Sequence, residues 1–390
     1  MTVPKAPQIF PRSEYLRRID AVKAEMAKQG VDALVVNNIR NITYLTGYTA
    51  KSAYVPQGVI ISARQAEPAF ILRQCDWPAA LHQAWMSRDN IIMYPESLIG
   101  VDGKDGYDAV IDHVIDLGLA GQNVGLEFND LMVSQMEKFK RRLPEAKLVD
   151  CAKLVAWVRG VKSDLEIALM REAGAIADAA VLRAAEVIRP GVREADVAAE
   201  IYKTVVKGAN GKVGTDVVNL FLCSSPRTGT CHIRWTEDTI KQGSQINLEL
   251  GAVRHAYVSA IMRTYSVGEP SDRLRRIHDG EVAGLEAALA AAKPGATCHD
   301  VAKAFNTTLA KYGFKKETRC GYAIGIEWLE PTASLQEGDM TVLKPNMTFH
   351  LMLGNWVDED FGYSISETFR VTETGSETLT NAPRKLFQIN

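Results

Sequence analysis

The chain has 390 residues, 46% of them hydrophobic and 24% charged, which excludes the disordered and collagen-like classes and leaves room for two or three domains. Its 45 Lys+Arg stand against 47 Asp+Glu, a formal net charge of −2, so no strong field draws in nucleic acid or an anionic membrane, and neither is an expected partner. No run approaches the roughly 18 consecutive apolar residues of a membrane span, and residues 1–15 lack the apolar core of a signal peptide, so a cytoplasmic protein is expected.

The first part of the chain reads as α/β. Tyr15, Leu16, Ile19, Val22 and Met26 repeat at helical spacing from Ser13 until Gly30, and residues 31–36 follow as a buried strand. Further strands are predicted at 58–62 and 69–72. The six cysteines, Cys75, Cys151, Cys223, Cys231, Cys298 and Cys320, form no CxxC pair in a chain this large and read as reduced thiols. This half closes near Cys151, giving expected domains of 1–154 and 155–390.

Ser163 with Glu166 three residues on forms a capping box for a long helix carrying Ile167, Met170, Ala173, Ala177 and Val181. Beyond it the sequence echoes itself. Pro190-Gly191 precedes Asp196-Val197-Ala198 as Pro294-Gly295 precedes Asp300-Val301-Ala302, and each helix ends near a glycine, Gly208 or Gly313. Strand-like sequence follows each helical pair, at 217–224, 244–253 and 256–267 and again at 319–328, 348–353 and 364–372. Two such halves suggest a pseudo-twofold α+β domain around one site.

In that domain, residues 246–251 alternate, with Ile246, Leu248 and Leu250 on one face and Asn247 and Glu249 on the other. Such a carboxylate is either solvated or a buried functional group. His232 lies in a segment rich in turn formers (Ser224, Ser225, Pro226, Gly229), so Glu249 and His232 together offer a nucleophile/base or acid/base pair.

These and other segments resemble the creatinase/aminopeptidase P family: NITYLTGY at 41–48, residues 159–163, His232, residues 247–264, GYAIGIE at 321–327, residues 347–354 and 365–372. The resemblance spans nearly the whole chain in order. It implies an N-terminal ribonuclease-H-like α/β domain followed by a pita-bread catalytic domain. Metallopeptidases of the family hold two metal ions through two Asp, one His and two Glu, and the matching positions here are Glu249, Ala260, Tyr322, Met352 and Ser366. Alanine and methionine supply no oxygen, so the expected metal content is none, and no other cofactor is expected.

The resemblance then points to the metal-free branch that contains creatinase, and within it to members that hydrolyse ectoine. It implies Glu249 and His232 as catalytic residues, and a compatible solute as small-molecule substrate. For substrate binding the candidates are Tyr54, Tyr322, Trp328, Glu327, Glu367 and Arg234, with Arg319 as a further cation for a carboxylate and Arg263, also a candidate by charge, expected to be structural in its Arg-Thr strand pattern. A homodimer is expected because the family commonly covers one chain's cleft with its partner's N-terminal domain, near Tyr54 here. A downstream deacetylase is a possible partner. A creatine-type amidinohydrolase, an Xaa-Pro metallopeptidase and a catalytically silent scaffold stay open as alternatives.

Overall fold

A computed structural model describes residues 3–50, 52 and 55–390. The chain divides into two compact units, Met1–Arg159 and Gly160–Asn390.

In the first unit the expected opening helix is α1 (Arg12–Lys28), followed by β1 (Ala33–Val36). Next comes α2 (Ile39–Thr46), whose N-terminus is capped by the Asn38 side chain accepting from the backbone N–H of Arg40 and Asn41. Gly47 ends it at φ 78, where a Cβ would lie 2.6 Å from the Tyr15 hydroxyl. The remaining elements are β2 (Gly58–Ser62), β3 (Ala69–Arg73), α3 (Trp77–Gln83), β4 (Ile91–Tyr94), α4 (Gly106–Asp116), β5 (Asn123–Leu126), α5 (Val133–Arg142), β6 (Lys147–Asp150) and α6 (Leu154–Val158). The strands form one mixed sheet in the order β4-β3-β2-β1-β5-β6. The expected domain boundary falls at the start of α6, and the compact units change over just after that helix.

The second unit opens with α7 (Asp164–Val187), and the Ser163/Glu166 capping box is formed in both directions. Then follow α8 (Glu194–Lys207), β7 (Asp216–Ser224), β8 (Gln245–Arg254), β9 (Tyr257–Val267), α9 (Asp272–Ala291) and α10 (Cys298–Ala310). After them come β10 (Gly321–Ile324), β11 (Leu329–Leu335), β12 (Thr348–Met352), β13 (Asn355–Asp358), β14 (Phe361–Tyr363), β15 (Ser366–Val371), β16 (Ser376–Thr378) and β17 (Phe387–Ile389). The two helix pairs each precede a group of strands, as the sequence echo suggests. Both groups join one nine-stranded sheet in the order β11-β10-β12-β15-β9-β8-β7, with β16 on β15 and β17 on β9.

Strand alternation decides what each face of this sheet carries. Ile246, Leu248 and Leu250 of β8, with Ile261 and Tyr265 of β9, pack into one core with Ala177, Val181 and Ile201 of α7 and α8. A second core joins α9 and α10 to Phe349, Leu351 and Phe369 of β12 and β15. The opposite face, which carries Glu249, is the cleft face. Glu249 pairs in register with Met262, and Met262 with Ser366, so these three side chains share that face. Among the described residues, no helix is long and apolar enough to cross a membrane.

Candidate active site

Glu249, 8% exposed, and His232 line one cavity, together with Phe221, Asn247, Met262 and Trp356. The cavity is shallow, about 310 Å³ only when the open solvent at its mouth is included. Glu249 has no hydrogen-bond or ion-pair partner among the described residues, and burial pushes its carboxyl up to about 8. A carboxylate left alone in this way is costly to ionise, and it is the group most altered by the arrival of a cation.

His232 is exposed, with φ 59, and its ring lies 5.2 Å from that of Phe221 on β7. The loop that carries it is pinned at both ends by one buried carboxylate. Glu194, at the start of α8, accepts from the backbone N–H and hydroxyl of Ser224 and from those of Thr236. Arg227 closes the same cluster, with Nη2 2.7 Å from Glu194 Oε1. Farther along, Thr228 Oγ1 donates to Asp360 O and Trp356 Nε1 to Thr230 O, which ties the loop to the β13–β14 hairpin. A flexible-looking, turn-rich segment is therefore a braced one.

On the far side of the cleft face, β10 and β12 place Tyr322 opposite His350. Trp328 Nε1 donates to the Tyr322 hydroxyl at 2.8 Å, His350 Nδ1 lies 3.2 Å from that oxygen, and His350 Nε2 lies 2.7 Å from Ser366 Oγ. His350 and Ser366 are fully buried. Burial holds His350 down at about 3, so its ring is neutral at ordinary pH. Tyr322 is held above the usual phenol range, first by burial and then by the Glu249 carboxylate. The sheet curls enough for this influence to reach across the intervening strands. Trp328 marks the same closure: a Cβ at Gly251 of β8 would come 2.4 Å from its ring.

The other candidates are dispersed. Arg319 stacks over the Tyr322 ring, its guanidinium carbon 4.5 Å from the centroid. Glu327, half-buried at φ 64, sits on the turn whose backbone N–H donates to Ala256 O at the tip of the β8–β9 hairpin, away from the cavity wall. Arg234 is exposed and also outside that wall. Tyr54 lies outside the described residues.

Glu367 corrects the expectation of a substrate-binding role. Its neighbour Ser366 faces the cleft, so alternation turns Glu367 to the helix-covered face. There it is 1% exposed, 2.7 Å from Arg263 and 3.1 Å from Arg384, and accepts from Thr380. Arg263 is correspondingly structural. His350 was not among the expected residues. Its signal is a histidine in an apolar strand two places before Met352, and it acquires meaning only through the pairing that sets Tyr322 beside it.

A braced histidine loop and a buried carboxylate without a hydrogen-bond partner among the described residues thus lie together on this sheet. The chain belongs to metallopeptidase family M24, whose profile matches residues 168–373, preceded by a creatinase/prolidase N-terminal domain matching residues 18–161. It is 36% identical to the ectoine hydrolase of Halomonas elongata, over 97% of this chain and 98% of that protein. It is 64% identical to the uncharacterized hydrolase/peptidase y4tL of Sinorhizobium fredii, over 99% of each. The Xaa-Pro dipeptidase of Bacillus anthracis superposes with a TM-score of 0.83 at 26% identity, over 96% of this chain and all of that one. The dipeptidase PepE of Mycobacterium ulcerans shares the fold, with a TM-score of 0.84 at 24% identity over 97% of this chain and 99% of that one. The chain is thus a two-domain α+β protein of the pita-bread type.

The family name implies metal ions, and the side chains present do not fit a pair of them. At the matching positions, Ala260 carries only a methyl group and Met352 a thioether. The Tyr322 and Ser366 hydroxyls are engaged by Trp328 and His350. Glu249 alone offers a carboxylate, and no group of three or more His, Cys, Asp or Glu able to hold a metal occurs among the described residues.

Proposed function

We propose that this chain is a hydrolase that opens the cyclic amidine ring of ectoine, and of 5-hydroxyectoine, to an N-acetyl-diaminobutyrate without using a metal ion. The observation that carries this reading is Glu249, buried and without a hydrogen-bond or ion-pair partner among the described residues, in the cavity that also holds His232. An amidinium presents two parallel N–H donors on a delocalised cation, and a carboxylate meets them with two charge-assisted hydrogen bonds. The Halomonas relative's name supports the same substrate.

In the reaction, Glu249 Oε attacks the methyl-bearing amidine carbon and His232 delivers a proton to the ring nitrogen as its C–N bond breaks. Water deprotonated by His232 then attacks the same carbon, the bond to Glu249 breaks, and the acetamide carbonyl keeps the water's oxygen. Fixing both groups recovers on the order of 7–11 kcal/mol of barrier, and proton transfer about 3–5 more. In a milder variant Glu249 only anchors the cation while His232 activates water. Mass spectrometry of protein quenched during slow turnover separates the two, since only the first leaves a substrate-sized adduct on the Glu249 peptide.

The test of function is metal-stripped protein incubated with ectoine, creatine and Xaa-Pro dipeptides. Gain of one water by ectoine alone is expected. Turnover of dipeptides restored by added divalent metal, with ectoine untouched, overturns the reading.

A further inference from the structure

Hydrogen-bond capacity decides where one proton of the cleft must point. Trp328 Nε1 is a donor only, so the Tyr322 oxygen accepts from it. The neutral His350 ring has one N–H and one lone pair to divide between Tyr322 and Ser366. With the proton on Nδ1, Tyr322 accepts a second time, Ser366 donates to Nε2, and the phenol O–H is left on the cleft-facing side of β10 without an acceptor among the described residues. With the proton on Nε2, Tyr322 spends its proton on Nδ1. The Ser366 hydroxyl then keeps a fully buried proton for which no acceptor exists among the described residues. Each arrangement leaves one hydroxyl proton without an acceptor among the described residues; the first leaves it on Tyr322, 7% exposed, and the second on Ser366, 0% exposed, so the first costs less.

The phenol O–H so aimed has a cation beside it. Arg319 covers the Tyr322 ring and spends one contact on Ser334 Oγ, 3.2 Å from Nη1, which leaves guanidinium N–H groups for a further acceptor. One end of the cleft face therefore offers an unpaired carboxylate, Glu249, and the other a neutral donor next to a guanidinium.

We propose that Tyr322 and Arg319 form the subsite for the anionic end of a small zwitterionic ligand, with His350 as the positioning residue that keeps the Tyr322 proton turned toward it. This rests on the reading of Glu249 as the partner of the ligand's cationic end. It assigns specificity: a cation without a carboxylate meets half of the site.

Calorimetric titration of the full-length protein with two probes tests it, ectoine as zwitterion and acetamidinium as cation alone. Tyr322→Phe and Arg319→Gln are each expected to weaken ectoine about tenfold or more and to leave acetamidinium within about twofold. His350→Asn, whose amide N–H stands in for Nδ1–H, keeps ectoine affinity, whereas His350→Gln, which replaces Nε2, loses it as Tyr322→Phe does. Equal losses for both probes, or none for either, overturn the subsite. If wild-type protein binds neither probe, the reading of Glu249 fails instead. The His350 ring answers separately by nitrogen-15 NMR: a protonated Nδ1 supports the positioning role, and a protonated Nε2 overturns it whatever the ligand.

Discussion

Glu249 concentrates the chemistry of this protein in a single desolvated carboxyl. Its ordinary value is 4.5 and burial raises it to about 8, so the free protein at pH 7 carries it mostly protonated. A cationic ligand favours the ionised form, and binding at pH 7 is expected to release up to one proton. Calorimetry in two buffers of different ionisation enthalpy measures that release, and its absence shows that the ligand does not engage this side chain. The same shift sets a stability effect. The unfolded carboxyl ionises near 4.5 while the folded one keeps its proton to about 8, so this residue costs stability as pH rises through that interval and the cost is level above it. Glu249→Gln is accordingly expected to gain roughly 1–4 kcal/mol over wild type at pH 9 and little at pH 4, read from urea midpoints. Alternation in residues 246–251 made Glu249 legible in the sequence, because a strand of period two must put it opposite three core residues. The same rule applied to Ser366 and Glu367 shows why Glu367 is structural, but only after Ser366 is known to face the cleft. His350 had no such signal, since its partners come from β10 and β15 and strand pairing is not written locally.

Elements in this fold are placed by local signals and joined by non-local ones. The capping box at Ser163, the glycine stop after α8 and the two helix pairs were all readable, because each depends on residues within a few positions of one another. The joining of both halves into one curled sheet was not, as it depends on registers between distant strands. Glu194 is the clearest case of an element-scale role hidden in the sequence: a helix-terminal acid, ordinary by composition, holds the His232 loop at both ends. Glu194→Ala leaves the Ser224 and Thr236 donors without this acceptor, while Arg227 keeps Asp238. It is expected to cost about 2–4 kcal/mol and to lower turnover on the order of tenfold or more by releasing the loop. Unchanged turnover in a folded variant, judged by circular dichroism, shows that the brace does not position His232. Gly174 makes the complementary point within α7. Alanine normally improves a helix interior by about 1 kcal/mol, yet here its Cβ would lie 1.8 Å from the Leu379 carbonyl oxygen. Gly174→Ala is expected to lose about 1–3 kcal/mol instead, because backbone must move to admit the methyl group.

At the scale of the whole molecule, a fold shared with dipeptidases carries Ala260, Tyr322, Met352 and Ser366 where the family resemblance implies metal ligands, and a fold does not by itself set the chemistry. Charge placement follows the same division. Glu127, fully buried in the first unit, is raised by burial to about 7 against the hydrogen bonds it accepts from Asn37, Asn38 and Asn41, and Glu249 stands at about 8 in the second. Both favour the folded state less as pH rises above 4.5. His350 acts in the other direction: the unfolded ring takes a proton near 6.5 and the folded one only near 3, so its contribution is lost as pH falls across that range. The molecule is therefore expected to be most stable in mildly acidic solution and to lose thermal stability as pH rises from about 4.5 to about 8. A cationic ligand reverses only the part of this loss that comes from Glu249, because it pairs with a carboxylate that must first shed its proton below about 8. Its apparent affinity then falls toward about tenfold per pH unit below that value, and the thermal shift it produces at saturating-range concentration grows from pH 6 to pH 9. Differential scanning fluorimetry with acetamidinium at fixed concentration reads this directly. A shift that is flat with pH, or that persists in Glu249→Gln, places the cation elsewhere than on this carboxylate. The Glu127→Gln variant serves as the internal control, since it removes Glu127's own share of the pH dependence and leaves the ligand's share intact.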